Sequence, residues 1–155
     1  MIRSAGILPY KIIDNKIYVY LEHPGGPYYK NVDKWAICKG EFKDESANDA
    51  AIREFYEESG TKLNKDDLKY LTSHKVSHHK LVIMFYINTD IDANKIKSNT
   101  FKIEFPKGSG KLEEFPEMDK ASWFLIDDAY SKIFESQIFF LDRLKNVLLE
   151  NEKNS

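Results

Sequence analysis

Apolar and β-branched positions in the first half of the chain follow patterns typical of strands, interrupted by one loop and one helical segment. Residues 5–13 and 16–21 are rich in β-forming side chains. Asp14 and Asn15 between them suit a tight turn, so the pattern predicts a β-hairpin. Residues 23–27 contain two prolines and two glycines, which excludes a regular element there.

Later apolar runs predict further strands. Residues 35–38 form one short run, and residues 121–125 form another. Residues 68–77 and 80–88 predict a second pair of neighbouring strands. Because the apolar stretch within 80–88 is too continuous for an exposed edge strand, we expect it to be buried inside the sheet.

Two segments have the period of amphipathic helices. The first is predicted over residues 47–59, where Ser46 and Asp49 resemble an N-terminal capping box. Gly60 then suits the left-handed residue that often follows a last helical turn. The second segment covers residues 136–150 and predicts a closing helix with one apolar face.

The remaining segments carry weaker signals. Residues 92–97 predict a short helix, and residues 105–110 contain turn-forming types. Asp127 or Asp128 is expected to cap a helix that follows the preceding strand. The polar residues 151–155 are predicted to form a frayed tail.

Composition supports one ordered domain spanning residues 1–155. Hydrophobic residues make up 42% of the chain and aromatic residues 14%, which excludes a mostly disordered protein. A chain of this length buries roughly 70% of the surface that its unfolded form exposes, enough for a core of its own. The mixture of strands and helices predicts the α/β fold class.

Charge and cysteine content exclude several kinds of partner. The 23 basic and 25 acidic residues give a net charge of −2, whereas generic nucleic-acid binders are usually basic. The single cysteine, Cys38, excludes an internal disulfide and a cysteine-based zinc cluster. No apolar run approaches the roughly 20 residues of a membrane span, and the first residues lack a signal-peptide pattern. We therefore expect a soluble cytoplasmic protein without a membrane partner.

The predicted helix at 47–59 carries an unfavourable arrangement of charge. Glu54, Glu57 and Glu58 lie at i, i+3 and i+4, so their carboxylates converge on one side and repel one another. Glu57 and Glu58 also occupy the last turn, where the helix dipole disfavours anions. A divalent cation such as Mg²⁺ or Mn²⁺ would turn this repulsion into ligation. The alternative is a solvated acidic face without a ligand.

A long motif favours the first interpretation. The segment Arg53 to Gly60, with Glu45 eight residues before Arg53, resembles the signature of the Nudix hydrolases, G-x5-E-x7-R-E-U-x-E-E-x-G-U, where U is a bulky apolar residue. The resemblance extends to a bacterial-type branch described as predicted nucleoside triphosphate pyrophosphohydrolases related to diadenosine tetraphosphate hydrolases. Its matching segments are residues 4–8, 23–27, 35–41, 98–101, 114–117 and 121–124.

The chain departs from this pattern at three places. Four residues separate Gly40 from Glu45, one fewer than in the signature. Cys38 stands where a proline is common, and Thr61 stands where an aliphatic residue is expected. The helical glutamates keep their mutual spacing, so the shorter loop should leave them undisturbed.

The resemblance implies a fold, a metal and roles for the motif residues. It implies the Nudix fold, a mixed β-sheet sandwiched between α-helices, and a Mg²⁺ cofactor, with Mn²⁺ as an alternative. Glu57 and Glu58 would ligate the metal with the Gly40 carbonyl, and Glu54 would be a third ligand or the base. Arg53 would pair with Glu45 or Glu57 and orient that carboxylate.

Other residues are candidates for substrate binding. Glu114 and Glu117 lie in a branch-specific segment that can supply a further acid, although surface carboxylates are an equal alternative. Tyr28 and Tyr29 can stack on a base, and His79 can contact phosphate. Lys111 belongs to a basic glycine-containing loop that more simply forms a mobile turn. The complete substrate-binding set is Tyr28, Tyr29, Lys39, His79, Lys111, Glu114 and Glu117.

These expectations favour a hydrolase acting on a phosphoanhydride bond in a nucleoside diphosphate linked to another group, foremost a dinucleoside polyphosphate or a nucleoside triphosphate. Nucleotide sugars and similar compounds are the alternative substrates, and a non-catalytic nucleotide sensor is the alternative class. An acidic protein-interaction helix would leave the motif unexplained. Charge distribution agrees with a small anionic substrate: the segment from Glu41 to Glu58 carries −5 and the rest of the chain +3.

Overall fold

Eight strands and three helices follow one another along residues 1–153, the part of the chain that this computed structural model describes. Three short 3₁₀ turns, Lys65–Asp67, Ala93–Lys95 and Glu135–Gln137, lie between them. The strands and helices are β1 (Ile2–Ile13), β2 (Lys16–Pro24), β3 (Cys38–Phe42), α1 (Ala47–Ser59), β4 (Lys69–Ser77), β5 (Lys80–Asn88), β6 (Thr100–Glu104), β7 (Leu112–Pro116), β8 (Met118–Leu125), α2 (Ile126–Lys132) and α3 (Ile138–Lys153).

The main sheet is mixed and has six strands, in the order β4-β5-β1-β2-β8, with β3 paired to β1. β1 runs parallel to β5 and antiparallel to β2 and β3. The first part of β1 pairs with β3, from Arg3 opposite Phe42 to Ile7 opposite Cys38. From Tyr10 onwards its partner is β2. The sheet therefore divides along β1, and β3 delivers the chain to the start of α1.

Helices cover both faces of this sheet, which confirms the predicted sandwich. On one face, Ala51 and Phe55 of α1 belong to a buried cluster with Ile7 of β1. On the other face, Leu141 and Leu144 of α3 belong to a second buried cluster that also contains residues of β1, β2 and β5. Because Ala51 and Phe55 are packed in one of these clusters, the orientation of α1 relative to the sheet is set, and so is the side of the helix that carries its glutamates.

Several elements agree with the sequence predictions. The β1–β2 hairpin turns at Asp14 and Asn15, which have positive φ angles of 53° and 63°. The second strand pair is β4–β5, and β5 is buried between β4 and β1 as expected. The residues of α1 are those predicted. No helix within residues 1–153 is long and apolar enough to cross a membrane.

Other elements differ from the predictions. Residues 35–38 do not form a strand: Trp35 and Ala36 make only isolated bridges, and β3 begins at Cys38 because its ladder with β1 starts there. The hairpin β6–β7 was not predicted, although the predicted turn at 105–110 does connect its two strands. Both strands are short and mostly exposed, so their apolar pattern is weak.

The C-terminal half contains three smaller corrections. The helix predicted at 92–97 is the 3₁₀ turn Ala93–Lys95. Asp127 and Asp128 lie inside the first turn of α2, which has no side-chain cap. α3 extends to Lys153, so residues 151–153 are helical rather than frayed, because the helix simply continues past its last apolar turn. The rest of that predicted tail, residues 154–155, lies outside the described residues.

Candidate metal and catalytic site

α1 is capped at both ends, which sets its length. The Ser46 hydroxyl accepts a hydrogen bond from the backbone N–H of Asp49 at 3.1 Å, as the predicted capping box requires. At the other end, Gly60 adopts a left-handed conformation with φ 79°, and its N–H donates to the Tyr56 carbonyl at 2.8 Å. Ala51 and Phe55 face the sheet, and the Glu54 side chain lies against β3 at Gly40.

Arg53 joins three of the motif carboxylates. Its Nε donates to Glu45 at 2.9 Å, and one terminal nitrogen donates to Glu54 at 2.8 Å. The same nitrogen lies 3.2 Å from Glu57 Oε1. Hydrogen bonding to Glu45 first, and then to the other two, raises the pKa of Arg53 further above its usual value. The predicted pairing with Glu45 or Glu57 is therefore realised with both, and with Glu54 as well.

Gly40 lies directly against the carboxyl group of Glu54. A Cβ at this position of β3 would overlap the carboxyl carbon and both oxygens of Glu54. The absence of a side chain lets the carboxylate lie against the strand. Although the loop from Gly40 to Glu45 is one residue shorter than the Nudix signature, β3 still continues to Phe42 before the chain bends into α1. The shorter loop thus leaves Gly40 beside the acidic cluster.

Gly40→Ala should displace the Glu54 carboxylate and lower activity with little loss of stability. The overlapping group is the mobile end of a side chain, which can rotate away, but its new position no longer matches the other carboxylates. Steady-state kinetics and thermal unfolding of the variant would measure both effects. The matched control is Gly40→Ala in a Glu54→Ala background, where the substitution should cost almost nothing further. An equal activity loss in both backgrounds would contradict this explanation.

Glu58 projects into the protein rather than into solvent. Its side chain is 5% exposed, and its Oε2 atom has no hydrogen-bond partner. Glu22 of β2 and Cys38 of β3 are its neighbours, and one potential ligand atom from each residue lies within 4.8 Å of the others. Burial, and then the charge of Glu22, raise the pKa of Glu58 to about 9.

The sequence analysis did not identify Glu22 as a site residue. It is the only acidic residue of β2, follows an apolar run in that strand, and is completely buried. Burial raises its pKa to about 8, although the hydrogen bond donated by the Cys38 thiol opposes this increase. An isolated acid in a buried strand is the signal that could have identified Glu22 as unusual.

Glu117 joins the acidic cluster from a distant part of the chain. It lies between β7 and β8, where its N–H donates to the Asn99 carbonyl and its own carbonyl accepts from Gly25, both at 2.8 Å. Burial and the charge of Glu57 raise the pKa of Glu117, and Glu117 in turn contributes to the raised pKa of Glu54. Burial remains the largest cause of the increase at Glu54. These carboxylates therefore share one region of negative potential.

The other predicted acid, Glu114, lies elsewhere. It is exposed on β7 and accepts a hydrogen bond from the Thr100 hydroxyl across the β6–β7 hairpin. The tyrosines also separate: the ring of Tyr28 packs edge-to-face on Phe105, and that of Tyr29 packs on Phe134, each with 6.3 Å between centroids. The two adjacent tyrosines thus contact different parts of the molecule.

The basic candidates do not contact the glutamates of α1 through any described hydrogen bond or ion pair. Lys39 is half-buried in β3, and burial followed by the charge of Lys80 lowers its pKa. His79 lies in the β4–β5 turn, where its carbonyl accepts a hydrogen bond from Ile2. Lys111 is exposed beside β7, and its N–H donates to the Ser109 hydroxyl. Of these three, Lys39 is coupled to the acidic cluster, since the charge of Glu58 partly opposes the decrease in its pKa.

Two surface clefts lie near these elements. One, of about 660 Å³, includes Glu45 and Arg53 in its lining. The other, of about 430 Å³, lies between the proline–glycine loop and the β6–β7 hairpin, and its lining includes Pro116, which directly precedes Glu117. Its lining is mainly apolar and aromatic with a few charged groups: Gly26, Pro27, Lys30, Phe105, Glu113, Phe115, Pro116 and Asp119.

Comparison with known proteins agrees with the motif and its geometry. A family model described as the NUDIX domain matches residues 12–143 of the chain. The chain belongs to the Nudix family. Its mixed sheet between helices is the Nudix fold, and membership supports a nucleotide pyrophosphohydrolase as the general class of enzyme. Among curated proteins, none matches the chain significantly.

Solved structures share the fold of this Nudix protein at low sequence identity. An Ap4A hydrolase from C. elegans, solved as a binary complex, is 18% identical with a TM-score of 0.63. The match covers 97% of this chain and 99% of the C. elegans chain. The NUDIX domain of Shewanella oneidensis NrtR, complexed with ADP ribose, is 10% identical with a TM-score of 0.66 (96% and 88% covered). The Nudix hydrolase RenU from M. smegmatis is 16% identical with a TM-score of 0.59 (95% and 85%).

Proposed function

We propose that this Nudix protein is a Mg²⁺-dependent hydrolase that cleaves a phosphoanhydride bond in a dinucleoside polyphosphate or a nucleoside triphosphate. The observation that carries the proposal is the convergence of four carboxylates: Glu54, Glu57, Glu58 and Glu117. Arg53 donates hydrogen bonds to two of them, and Gly40 leaves room for the Glu54 carboxylate. A cluster of anions cannot bind a phosphate chain by itself. A divalent cation bound between the carboxylates and the phosphates makes such binding favourable.

The residues present fit a hard divalent cation. Carboxylate oxygens are the ligands that such a cation prefers, and Arg53 holds those of Glu54 and Glu57 beside each other. The Glu54 carboxylate occupies the space where Gly40 lacks a side chain. We infer that Glu57 and Glu58 hold Mg²⁺ with the Gly40 carbonyl, that Glu54 is either a third ligand or the base, and that Mn²⁺ can replace Mg²⁺. When bound, the cation neutralises phosphate charge and favours deprotonation of water.

The protein groups around that position have distinct roles. Arg53 fixes the orientation of Glu54 and Glu57 and is itself anchored by Glu45. The raised pKa values of Glu54 and Glu117 favour proton acceptance, so each is a candidate general base for an attacking water. Glu117 directly follows Pro116, a lining residue of the smaller cleft, where we propose that the substrate enters.

The smaller cleft suits a nucleoside. Phe105 and Phe115 offer aromatic surface to a base, and Tyr28 packs against Phe105 at its margin. Lys30 is positioned in the same lining to contact phosphate. We propose that Tyr28 belongs to the binding surface through this contact. For Tyr29, Lys39, His79, Lys111 and Glu114, substrate contact stays a prediction.

Structural neighbours support two substrate classes. The C. elegans neighbour is described as an Ap4A hydrolase, which favours a dinucleoside polyphosphate. The Shewanella domain was solved with ADP ribose, which favours the alternative of a nucleoside diphosphate linked to a sugar. Both likenesses are at the level of the fold, so the experiment must compare the substrate classes directly.

Incubation with Mg²⁺ and a panel of ATP, diadenosine tetraphosphate, ADP-ribose and a nucleotide sugar in ¹⁸O-labelled water would test the proposal. We expect cleavage of diadenosine tetraphosphate or ATP, and mass spectrometry of the products would identify the phosphorus attacked. The control is the same panel with a chelator in place of Mg²⁺. Cleavage of ADP-ribose alone would favour the alternative substrate. Nucleotide binding without cleavage of any compound would indicate a sensor and overturn the proposal.

A further inference from the structure

Three potential metal ligands meet inside the protein, behind the acidic surface. Glu22 comes from β2, Cys38 from β3 and Glu58 from α1, and one ligand atom of each lies within 4.8 Å of the other two. Their side chains are 0%, 3% and 5% exposed. Three separate elements of the fold thus bring two carboxylates and a thiol together in the buried interior.

The hydrogen bonding of this trio is incomplete. The Cys38 thiol donates to Glu22 Oε1. Glu22 Oε2 and Glu58 Oε2 are both buried and have no hydrogen-bond partner. A buried carboxylate oxygen without a partner is unusual, because it loses its hydration and receives nothing in return. Glu22 and Glu58 each carry such an oxygen, and each offers a ligand atom within 4.8 Å of the Cys38 sulfur, an arrangement that a bound cation would satisfy.

We propose that Glu22, Cys38 and Glu58 form a binding site for a thiophilic divalent cation of the Zn²⁺ class, which shares Glu58 with the Mg²⁺ position. Thiolate ligands select Zn²⁺ and similar metals, whereas Mg²⁺ requires oxygen ligands in octahedral geometry. Three protein ligands leave a fourth tetrahedral position for water. The single cysteine excludes a cluster of several cysteines but not a mixed site of this kind.

This site shares one residue with the proposed Mg²⁺ position. Glu58 belongs to both ligand sets, so a cation bound to the trio would alter the supply of oxygen ligands to the Mg²⁺ position. This last consequence rests on the proposed function, while the site itself does not. As the sulfur–metal bond forms, the thiol proton is released to water.

Cobalt provides the test, because Co²⁺ replaces Zn²⁺ and a thiolate–Co²⁺ bond gives a charge-transfer absorption band. Since Cys38 is the only cysteine, such a band reports this site alone. We expect one equivalent of Co²⁺ to produce the band in the unmodified protein. Zn²⁺ should abolish it by displacing Co²⁺, whereas an equimolar amount of Mg²⁺ should not. No nucleotide is needed, so the result is independent of any hydrolytic activity.

Variants locate the site. Cys38→Ala should lose the band. Glu22→Gln should weaken Co²⁺ binding by about 10- to 100-fold, the range measured when a group that supports a metal site is removed. Glu57→Gln, which removes a neighbouring exposed carboxylate, should leave the band and its affinity unchanged. Absence of the band in the unmodified protein at saturating Co²⁺ would overturn the proposal, as would unchanged affinity in folded Glu22→Gln.

Discussion

Glu57→Gln should lower the turnover of the nucleotide substrate by about 100- to 1,000-fold, the range seen when one preorganised electrostatic contact to a transition state is lost. Glutamine keeps the shape of the side chain but removes its charge and with it a metal ligand. Glu57 is 34% exposed and lies in the last turn of α1, where the helix dipole disfavours an anion. The fold should therefore survive, and kcat with Mg²⁺ should show the loss.

The control for this variant is Glu150→Gln, which changes an exposed carboxylate near the end of α3. It should have the turnover of the unmodified protein. Circular dichroism and thermal unfolding would show that both variants are folded. If Glu57→Gln retained full turnover, the assignment of the acidic edge of α1 as the catalytic metal site would be wrong.

Arg53→Met should reduce kcat by about 10- to 100-fold, as expected for a residue that holds metal ligands in place. The variant leaves Glu45, Glu54 and Glu57 without their shared donor. It should also change the pH dependence. Arg53 opposes the burial that raises the pKa of Glu54, so its removal raises that pKa further. The acidic limb of the pH–rate profile should therefore move to higher pH, because a base must be deprotonated to act.

Two further variants separate positioning from stability. Arg53→Lys keeps a positive charge but lacks the planar group that reaches several carboxylates, so it should restore only part of the lost activity. Because the charge beside Glu54 is kept, the acidic limb should return most of the way to its original pH. Lys65→Met breaks an exposed ion pair with Asp49 of α1, the helix that carries Arg53, and should change neither kcat nor the pH profile. An Arg53→Met variant with reduced kcat and an unmoved acidic limb would show that Arg53 does not act through Glu54.

Short-range chemistry explains why α1 was predictable. Its caps, Ser46 and Gly60, are adjacent to the helix, and its period is visible within thirteen residues. The three glutamates of the motif lie on one side of the helix because of their spacing alone. The β1–β2 hairpin was predictable for the same reason, since Asp14 and Asn15 tolerate the positive φ angles of its turn.

Elements defined by distant partners were predicted less well. Residues 35–38 were predicted as a strand because they are apolar, and Trp35 and Ile37 are indeed buried. The ladder that defines β3, however, begins only at Cys38, opposite Ile7. β6 and β7 pair with each other outside the main sheet, and their exposed sequence has little alternation. Pairing depends on the partner strand as much as on the residues of the strand itself.

By itself, the sequence determined the Nudix motif, the helix that bears it and the direction of its three carboxylates, because contacts within four residues set all of these. Only the tertiary structure decided that Glu117, and not Glu114, approaches the motif. Only the tertiary structure placed Glu22 and Cys38 behind Glu58. Burial and charge–charge coupling arise when β2, β3 and α1 come together, and no local pattern encodes distances between residues so far apart in the chain.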